Sequence, residues 1–167
     1  MIYLDMDGVI ADFTTAYLEL TNSMCMYDDI RDWNIYYYTK QTEEQFWMTV
    51  DLAGEDFWVN IPIYKNAVDM IKKLREKDHV TILTSVSEKA PIAAIGKIKW
   101  LNKHISPMIP ICIDDKKWKY AGPNTTLIDD KPENIIEFIK CGGKGLLYPQ
   151  PWNADYRDLP VFNENAA

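Results

Sequence analysis

The hydrophobic residues of the chain cluster in short runs, and a polar residue directly follows each run. Continuous rather than alternating apolarity is typical of strands that are covered on both faces, as in a parallel sheet. We therefore predict four buried strands, at Ile2–Leu4, Val80–Leu83, Ile109–Ile113 and Thr126–Ile128. A fifth, weaker run at Gly145–Tyr148 predicts an additional strand at an edge of the sheet.

Between these runs, apolar residues recur at helical spacing. The inward positions of three predicted helices are Phe13, Ala16, Tyr17, Leu20 and Met24, then Ala67, Met70, Ile71 and Leu74, and finally Ala94, Ile95, Ile98, Leu101 and Ile105. Pro132 suits the first turn of a fourth helix, which the pair Gly142 and Gly143 would end. The alternation of strands and helices predicts an α/β fold with a parallel sheet, right-handed crossovers and helices on both faces.

The stretch from 14 to 64 interrupts this alternation. It contains no good strand pattern, and aromatic side chains are concentrated in it. A connection of about 50 residues is far too long to join a strand to a helix in a compact unit. We therefore predict an α/β core made of residues 1–13 and 65–167, and a small helical cap, residues 14–64, inserted after the first strand.

The composition is that of a soluble globular protein, since 47% of the 167 residues are hydrophobic and 26% are charged. Acidic residues number 25 and basic residues 18, a balance that argues against binding of a polynucleotide or an anionic membrane. The three cysteines are scattered without metal-ligand spacing, and the N-terminal segment has neither the basic start nor the apolar core of a signal peptide. We therefore expect a cytoplasmic protein without membrane association.

Carboxylates follow two of the predicted strands at their carboxyl ends, where ligands bind in open parallel sheets. Asp5 and Asp7 follow the first strand, and Asp129 and Asp130 end the fourth. Carboxylates that converge within about 4–6 Å repel one another by roughly 4 kcal/mol per close pair at an effective dielectric of about 20. Such a cluster therefore requires either bound protons or a cation. Because the ligands are all oxygens, with no nearby histidine or cysteine, a hard ion such as Mg²⁺ is favoured.

Hydroxyls and lysines follow the other two strands. Thr84 and Ser85 end the second strand, and Lys116 and Lys117 follow the third. These groups would bind an anion that the carboxylates alone would repel. The anion that most naturally bridges Mg²⁺, a lysine and hydroxyl donors is a phosphoryl group.

Four segments in this order, DMDGVIAD, ILTS, the lysine after the third strand and LIDD, resemble the motifs of the haloacid dehalogenase (HAD) superfamily of phosphotransferases. The opening segment and YPQPWN near the C-terminus are similar to those of the 5′(3′)-deoxyribonucleotidases. The resemblance implies a HAD-type, Rossmann-like parallel sheet with a helical cap. It also implies an Mg²⁺-dependent phosphomonoesterase that removes phosphate from (deoxy)nucleoside 5′- or 3′-monophosphates through an aspartyl-phosphate intermediate.

The same resemblance implies a role for each acidic residue. Asp5 is implied to be the nucleophile, and Asp7 to be the acid for the leaving oxygen and then the base for the attacking water. The metal would be held by the Asp5 carboxylate, the backbone carbonyl at Asp7 and the Asp130 carboxylate. Asp129 would act behind Asp130, and an exchange of these two roles is the alternative.

The phosphate-binding residues implied by the resemblance are Thr84 and Ser85, together with one lysine after the third strand. Lys116 matches the family's Asp-Lys segment best, and Lys117 is the alternative. Lys97 fits a second lysine position of the family and is a candidate substrate contact. A solvated surface position is the other interpretation of Lys97, and the sequence favours it.

Aromatic residues are candidates for binding the nucleobase. Phe13 matches an aromatic position of the deoxyribonucleotidases that stacks on the base, and Phe57 and Trp58 would complete an apolar slot. Stacking of a base is worth roughly 1–3 kcal/mol and needs a flat face. Core packing is the alternative for all three residues, equally weighted for Phe13 and favoured for Phe57 and Trp58.

The partner implied for the chain is a small-molecule phosphate ester, and the chain is expected to be a monomer or a homodimer. Two alternatives to a nucleotidase remain open from the sequence. One is a HAD phosphatase for a sugar phosphate or a nucleic-acid end. The other is a non-catalytic phosphate-binding module on the same fold.

Overall fold

The computed structural model describes residues 1–163, in which five short strands form one parallel sheet. The strands are β1 (Ile2–Leu4), β2 (Val80–Thr84), β3 (Ile111–Ile113), β4 (Thr126–Asp129) and β5 (Lys144–Leu147). Their order across the sheet is β3-β2-β1-β4-β5. Ile2 pairs with Val80 on one side and with Thr126 on the other, so the carboxyl ends of β1, β2 and β4 lie side by side. The predicted parallel sheet is confirmed.

Five α-helices connect and cover these strands in residues 1–163: α1 (Phe13–Leu20), α2 (Glu43–Val59), α3 (Ala67–Lys77), α4 (Ala93–His104) and α5 (Pro132–Lys140). The first helix was expected to reach Met24 but ends four residues earlier, because Asn22 adopts a left-handed φ of 49°. β3 begins later than predicted because Pro110 has no N–H to donate to the sheet. The carbonyl of Pro110 still accepts a hydrogen bond from the N–H of Ile82 in β2. None of the described helices has the length and apolarity to span a bilayer.

The strands bury side chains on both faces of the sheet. Leu4, Ile82 and Ile128 belong to one hydrophobic cluster, which also contains the buried residues of α3 and α4. Leu83 and Leu127, each one position away along its strand, belong to a second cluster with the buried residues of α5. Because side chains alternate across a strand, the two clusters lie on opposite faces. The prediction of helices on both faces is confirmed.

Helix α4 buries a different face from the one that its isoleucines predicted. Ile95 and Ile98 are 50% and 42% exposed, whereas Gly96 and Lys97 are buried. A side chain at Gly96 would meet α2, since an added Cβ would lie 2.3 Å from the Cβ of Trp58. The missing side chain lets α4 pack closely on α2, and this contact sets the face that points inward.

The segment 14–64 contains most of α1, two 3-10 helices and α2, and its residues form none of the five strands. Thr42 begins α2 with a capping box, in which its hydroxyl accepts from the N–H of Gln45 and the Gln45 side chain accepts in return. Gly54, with φ of 70°, interrupts the helix. The division into a core and a cap stays a prediction, and residues 164–167 of the predicted core lie outside the described residues.

Candidate active site

A cavity of about 630 Å³ opens at the carboxyl ends of β1, β2 and β4. Its wall includes residues of the strand ends and of the segment 14–64. Most of the charged and hydroxyl side chains predicted from sequence line it, namely Asp5, Asp7, Thr84, Ser85, Lys97, Lys117 and Asp130. The parallel register therefore brings together motifs that are far apart in the chain.

The turn after β1 sets the orientation of the first acidic pair. The carbonyl of Met6 accepts hydrogen bonds from the N–H groups of Val9, Ile10 and Ala11, which closes a tight loop. Gly8 has a φ of 77°, and an added Cβ would lie 2.3 Å from Oδ2 of Asp130. Glycine is therefore needed at this position both for the backbone conformation and for the close approach of a carboxylate.

Three buried carboxylates form a cluster beside this turn. One oxygen from each of Asp5, Asp129 and Asp130 lies within 4.8 Å of the other two. At that distance each pair of charges repels by roughly 3 kcal/mol at an effective dielectric of about 20. Lys117 Nζ lies 2.7 Å from Asp5 and 2.6 Å from Asp129 and supplies one positive charge. Full ionisation thus leaves two negative charges without a partner in the cluster, which matches a divalent cation.

The pKa values of the cluster reflect this imbalance. Burial raises the pKa of Asp5 to about 7, opposed by Lys117 and assisted by the charges of Asp129 and Asp7. Burial, followed by the charges of Asp129 and Asp5, raises the pKa of Asp130 well above its usual range. Burial alone would lower the pKa of Lys117, but the neighbouring carboxylates outweigh it and raise that pKa. The lysine is therefore a permanent cation in a site that still favours additional positive charge.

Asp7 has a separate partner on the other side of the cavity. Its Oδ2 lies 2.6 Å from Nζ of Lys97, which also donates to the hydroxyl of Thr84 at 2.8 Å and to the carbonyl of Ser85 at 2.7 Å. Oδ1 of Asp7 is shielded from solvent and has no hydrogen-bond partner among the described residues. Lys97 is only 2% exposed. The surface interpretation that the sequence favoured for Lys97 is therefore wrong.

The lysine at the acidic cluster is Lys117 and not Lys116. Lys116 precedes the 3-10 helix Lys117–Tyr120, its side chain is exposed, and its backbone N–H donates to Asp114 at 2.9 Å. This turn after β3 directs the next residue inward. The sequence favoured Lys116 as the lysine that lies in the site, and this prediction is wrong. The alternative, Lys117, is the residue that lies there.

Aromatic side chains form part of the wall of the same cavity. Phe13 and Trp58 both line the cavity, and their ring centroids are 5.5 Å apart. Phe57 is not among the lining residues and packs edge-on against Phe13 at 5.7 Å. Two of the three predicted base-binding residues are therefore placed where a substrate could contact them, and the third supports them from behind.

Two further contacts at the cavity were not predicted. Nζ of Lys131 lies 3.8 Å from the ring centroid of Trp33, which joins the loop after β4 to the segment 14–64. The indole N–H of Trp152 donates to Oδ2 of Asp130 at 2.8 Å. The segment YPQPWN had been noted for its resemblance, but nothing in its pattern indicated which atoms it would contact.

Comparison with solved structures shows HAD-type relatives with low sequence identity. A haloacid dehalogenase-like hydrolase from Streptococcus pneumoniae has a TM-score of 0.59 and 12% identity, and the match covers 99% of this chain and 94% of that one. YfnB from Bacillus subtilis, described as a HAD-hydrolase bound to magnesium, has a TM-score of 0.56 and 16% identity, with 87% and 85% covered. A HAD family hydrolase from Deinococcus radiodurans with bound phosphate and sodium has a TM-score of 0.51 and 11% identity, with 99% and 91% covered. These likenesses establish the fold.

Comparison at the level of sequence gives a more specific result. No curated protein matches the chain significantly. The profile of one family, described as "5' nucleotidase, deoxy (Pyrimidine), cytosolic type C protein", matches residues 1–161. The match includes every segment that contributes to the cavity.

Proposed function

The chain belongs to this family of cytosolic type C 5′ nucleotidases, and on that premise we propose that it hydrolyses deoxynucleoside 5′- or 3′-monophosphates. It is a HAD-type phosphatase, and its acidic cluster fits a metal site. The observation that supports the proposal most is the separate pairing of two acids at one cavity. Asp5 pairs with Lys117, and Asp7 pairs with Lys97.

Each acid is paired with a lysine of its own, and we propose a different role for each acid. Lys117 holds the Asp5 carboxylate at 2.7 Å and favours its ionised form, which is the nucleophilic one. Asp5 attacks phosphorus, the ester bond to the leaving oxygen breaks, and Asp7 donates a proton to that oxygen. Asp7 then takes a proton from water, which attacks the aspartyl-phosphate, releases inorganic phosphate and restores Asp5. We assign this proton to Oδ1 of Asp7, because Oδ2 is held by Lys97 and Oδ1 has no hydrogen-bond partner among the described residues.

The phosphoryl group would be bound by the groups that surround these acids. Thr84 offers its hydroxyl at the end of β2, and Lys97, whose ammonium group is held by Asp7, Thr84 and Ser85, supplies a positive charge fixed at the cavity. Ser85 lines the same part of the cavity. Preorganised donors of this kind stabilise the charge that develops on the transferred group, because they need not reorient during the reaction.

The donor set fits Mg²⁺. Asp5 and Asp130 are the carboxylates that we propose as direct ligands, with the backbone carbonyl at Asp7. The Asp129 carboxylate already accepts hydrogen bonds from Lys117, from Asn134 and from the backbone N–H of Lys131, so we place it behind the ligands. A bound Mg²⁺ would neutralise phosphoryl oxygens and relieve the repulsion within the cluster.

The aromatic wall supports a nucleotide as substrate. Phe13 and Trp58 present rings to a cavity of about 630 Å³, within the range of small-molecule sites. The net charge of −7 disfavours a polynucleotide. We therefore propose a small phosphate ester as the partner and the cytosol as the location, with the chain acting as a monomer or a homodimer.

Phosphate release from a panel of substrates tests this proposal. The panel contains deoxy- and ribonucleoside 5′- and 3′-monophosphates, sugar phosphates and a 5′-phosphorylated oligonucleotide, each with Mg²⁺ and with EDTA. We expect deoxynucleotides to exceed sugar phosphates in kcat/KM by at least about tenfold, and EDTA to abolish turnover. Preferred turnover of a sugar phosphate or an oligonucleotide end would contradict the substrate class. Binding without phosphate release would indicate a non-catalytic module.

A further inference from the structure

The segment after β5 returns to the acidic cluster and makes three hydrogen bonds there, two to Asp130 and one to the adjoining turn after β1. Gln150 donates from its side-chain amide to the carbonyl of Gly8, in the turn after β1. Trp152 donates from its indole N–H to Oδ2 of Asp130. Asn153 donates from its side-chain amide to the backbone carbonyl of Asp130 at 2.8 Å. None of these side chains carries a charge, and none has a role in the reaction described above.

The bond from Trp152 decides where the Asp130 carboxylate points. Asn153 fixes the backbone of Asp130, so the side chain retains only its own rotation. Repulsion from Asp5 and Asp129 would turn the carboxylate away from the cluster. The indole nitrogen, in a side chain only 7% exposed, instead lies 2.8 Å from Oδ2 and holds that oxygen close to Gly8.

The position of the indole is itself fixed by neighbouring contacts. The ring of Trp152 packs edge-on against Tyr27, with centroids 5.7 Å apart. The hydroxyl of Tyr27 donates to Gln150 Oε1 at 2.6 Å, which orients the amide that binds Gly8. These contacts orient the indole ring so that its N–H is directed at Asp130.

A neutral donor suits this place better than a charged one. A lysine at the position of Trp152 would bind Asp130 more strongly but would cancel one of the negative charges that attract a cation. The indole N–H orients the carboxylate and leaves its charge intact. Groups that orient a metal ligand in this way affect metal affinity strongly, and their removal typically weakens it about 10- to 100-fold.

We propose that Trp152 is a positioning residue of the metal site, which holds Asp130 turned toward Asp5 and Asp129 so that Mg²⁺ meets a preformed set of oxygens. This inference rests on the proposed function, since it concerns the metal assigned there. Trp152 lines the cavity, and the role assigned to it acts through the Asp130 carboxylate.

The variant Trp152→Phe tests the proposal, because it keeps an aromatic ring and removes only the N–H and part of the indole. We expect the Kd for Mg²⁺, measured by calorimetry, to rise about 10- to 100-fold. The half-saturating Mg²⁺ concentration for hydrolysis should rise with it, while kcat and the nucleotide KM at saturating Mg²⁺ stay near the native values. If Trp152 only stabilised the fold, its replacement would not raise the Kd for Mg²⁺ while leaving kcat and the nucleotide KM unchanged.

Trp100→Phe is the matched control. Trp100 is also a buried tryptophan whose N–H is satisfied, in this case by the carbonyl of Ile61 at 2.7 Å. Its replacement should lower stability and leave the Kd for Mg²⁺ unchanged. Equal Mg²⁺ affinity in native protein and folded Trp152→Phe would overturn the positioning role alone. Failure of the native protein to bind Mg²⁺ would instead overturn the metal assignment in the proposed function.

A measurement on the native protein keeps the proposal testable if Trp152→Phe does not fold. In NMR spectra, the indole N–H signal of Trp152 should shift during an Mg²⁺ titration with the Kd found by calorimetry. The signal of Trp100 should not move. A Trp152 signal that stays unchanged at saturating Mg²⁺ would overturn the proposal.

Discussion

Replacing Asp5 by Asn removes the proposed nucleophile and, at the same time, one of three crowded charges. The side chain is 8% exposed, and Asn has nearly the same size. We expect Asp5→Asn to reduce phosphate release to below about 1% of native, because an amide cannot form the acyl-phosphate. The fold should remain intact, and in the absence of Mg²⁺ it should become more stable.

The size of this stabilisation follows from the pKa of Asp5. Burial, opposed by Lys117 but assisted by Asp129 and Asp7, raises that pKa from 3.8 to about 7. A raised pKa of an acid means that the folded chain binds the proton more tightly, so stability falls as the pH rises from about 4 to about 7. The shift of about three units corresponds to about 4 kcal/mol above pH 7. Because the Asn amide cannot reproduce every hydrogen bond of a carboxyl group, we expect a gain of about 2 kcal/mol.

Thermal unfolding of native protein and Asp5→Asn measures this effect. A gain of about 2 kcal/mol corresponds to a rise in Tm of roughly 4–8 °C at pH 8 in EDTA for a chain of this length. The difference should shrink near pH 4.5, where the carboxyl is protonated. Addition of Mg²⁺ at pH 8 should raise the Tm of the native protein above that of Asp5→Asn, because the ion binds the native cluster more tightly. A lower Tm for Asp5→Asn in EDTA at pH 8 would refute the reasoning about repulsion.

Three further changes probe other parts of the site. Lys117→Met leaves Asp5 without its cation, so the free energy of unfolding in urea should fall by about 3–5 kcal/mol, as for other broken buried ion pairs. Gly8→Ala forces a methyl group against Asp130, and calorimetry should show Mg²⁺ binding weakened by at least about tenfold. Phe13→Leu keeps an apolar side chain but removes the flat face, so the KM for a deoxynucleotide should rise roughly 5- to 150-fold, as expected for about 1–3 kcal/mol of stacking. Competitive inhibition by inorganic phosphate should not change in Phe13→Leu.

Each of these variants has a control or a contrary outcome. Lys116→Met should change the unfolding free energy by less than about 0.5 kcal/mol, and equal losses for both lysines would contradict the placement of Lys117. Gly142 also has a positive φ, 90°, but has open space around it, so Gly142→Ala should strain the backbone without weakening Mg²⁺ binding. An unchanged KM for Phe13→Leu would assign Phe13 to core packing.

The carboxyl-end cluster was predictable from sequence because apolar runs mark strand ends. Parallel strands share one register, so polar residues directly after Leu4, Leu83 and Ile128 must meet at one edge of the sheet. That rule brings Asp5, Thr84 and the last acidic pair together without any knowledge of the loops. The five strands and the helices on both faces follow from the same patterns.

The lysines were harder to place because their environment is not visible in a hydrophobic pattern. Lys97 can occupy a buried position of α4 only because Asp7 and Thr84 bind its ammonium group. A prediction from the helical spacing of apolar residues instead assigns a lysine to the exposed face. Lys116 and Lys117 are adjacent residues in the turn after β3. The backbone conformation of that turn decides which of the two side chains points into the site. The contact from Trp152 to Asp130 joins two segments that share no periodicity, so sequence patterning does not reveal it.

The hydrogen bond between Gln150 and Gly8 spans 142 positions of the chain. During translation, which proceeds at about 5–20 residues per second, the turn after β1 leaves the ribosome long before its partner is made. The acidic pocket therefore stays incomplete in the nascent chain until residues 148–153 have been made. Hydrolytic activity would then begin only after this segment has been synthesised, and a product truncated before residues 148–153 would be unable to assemble the pocket.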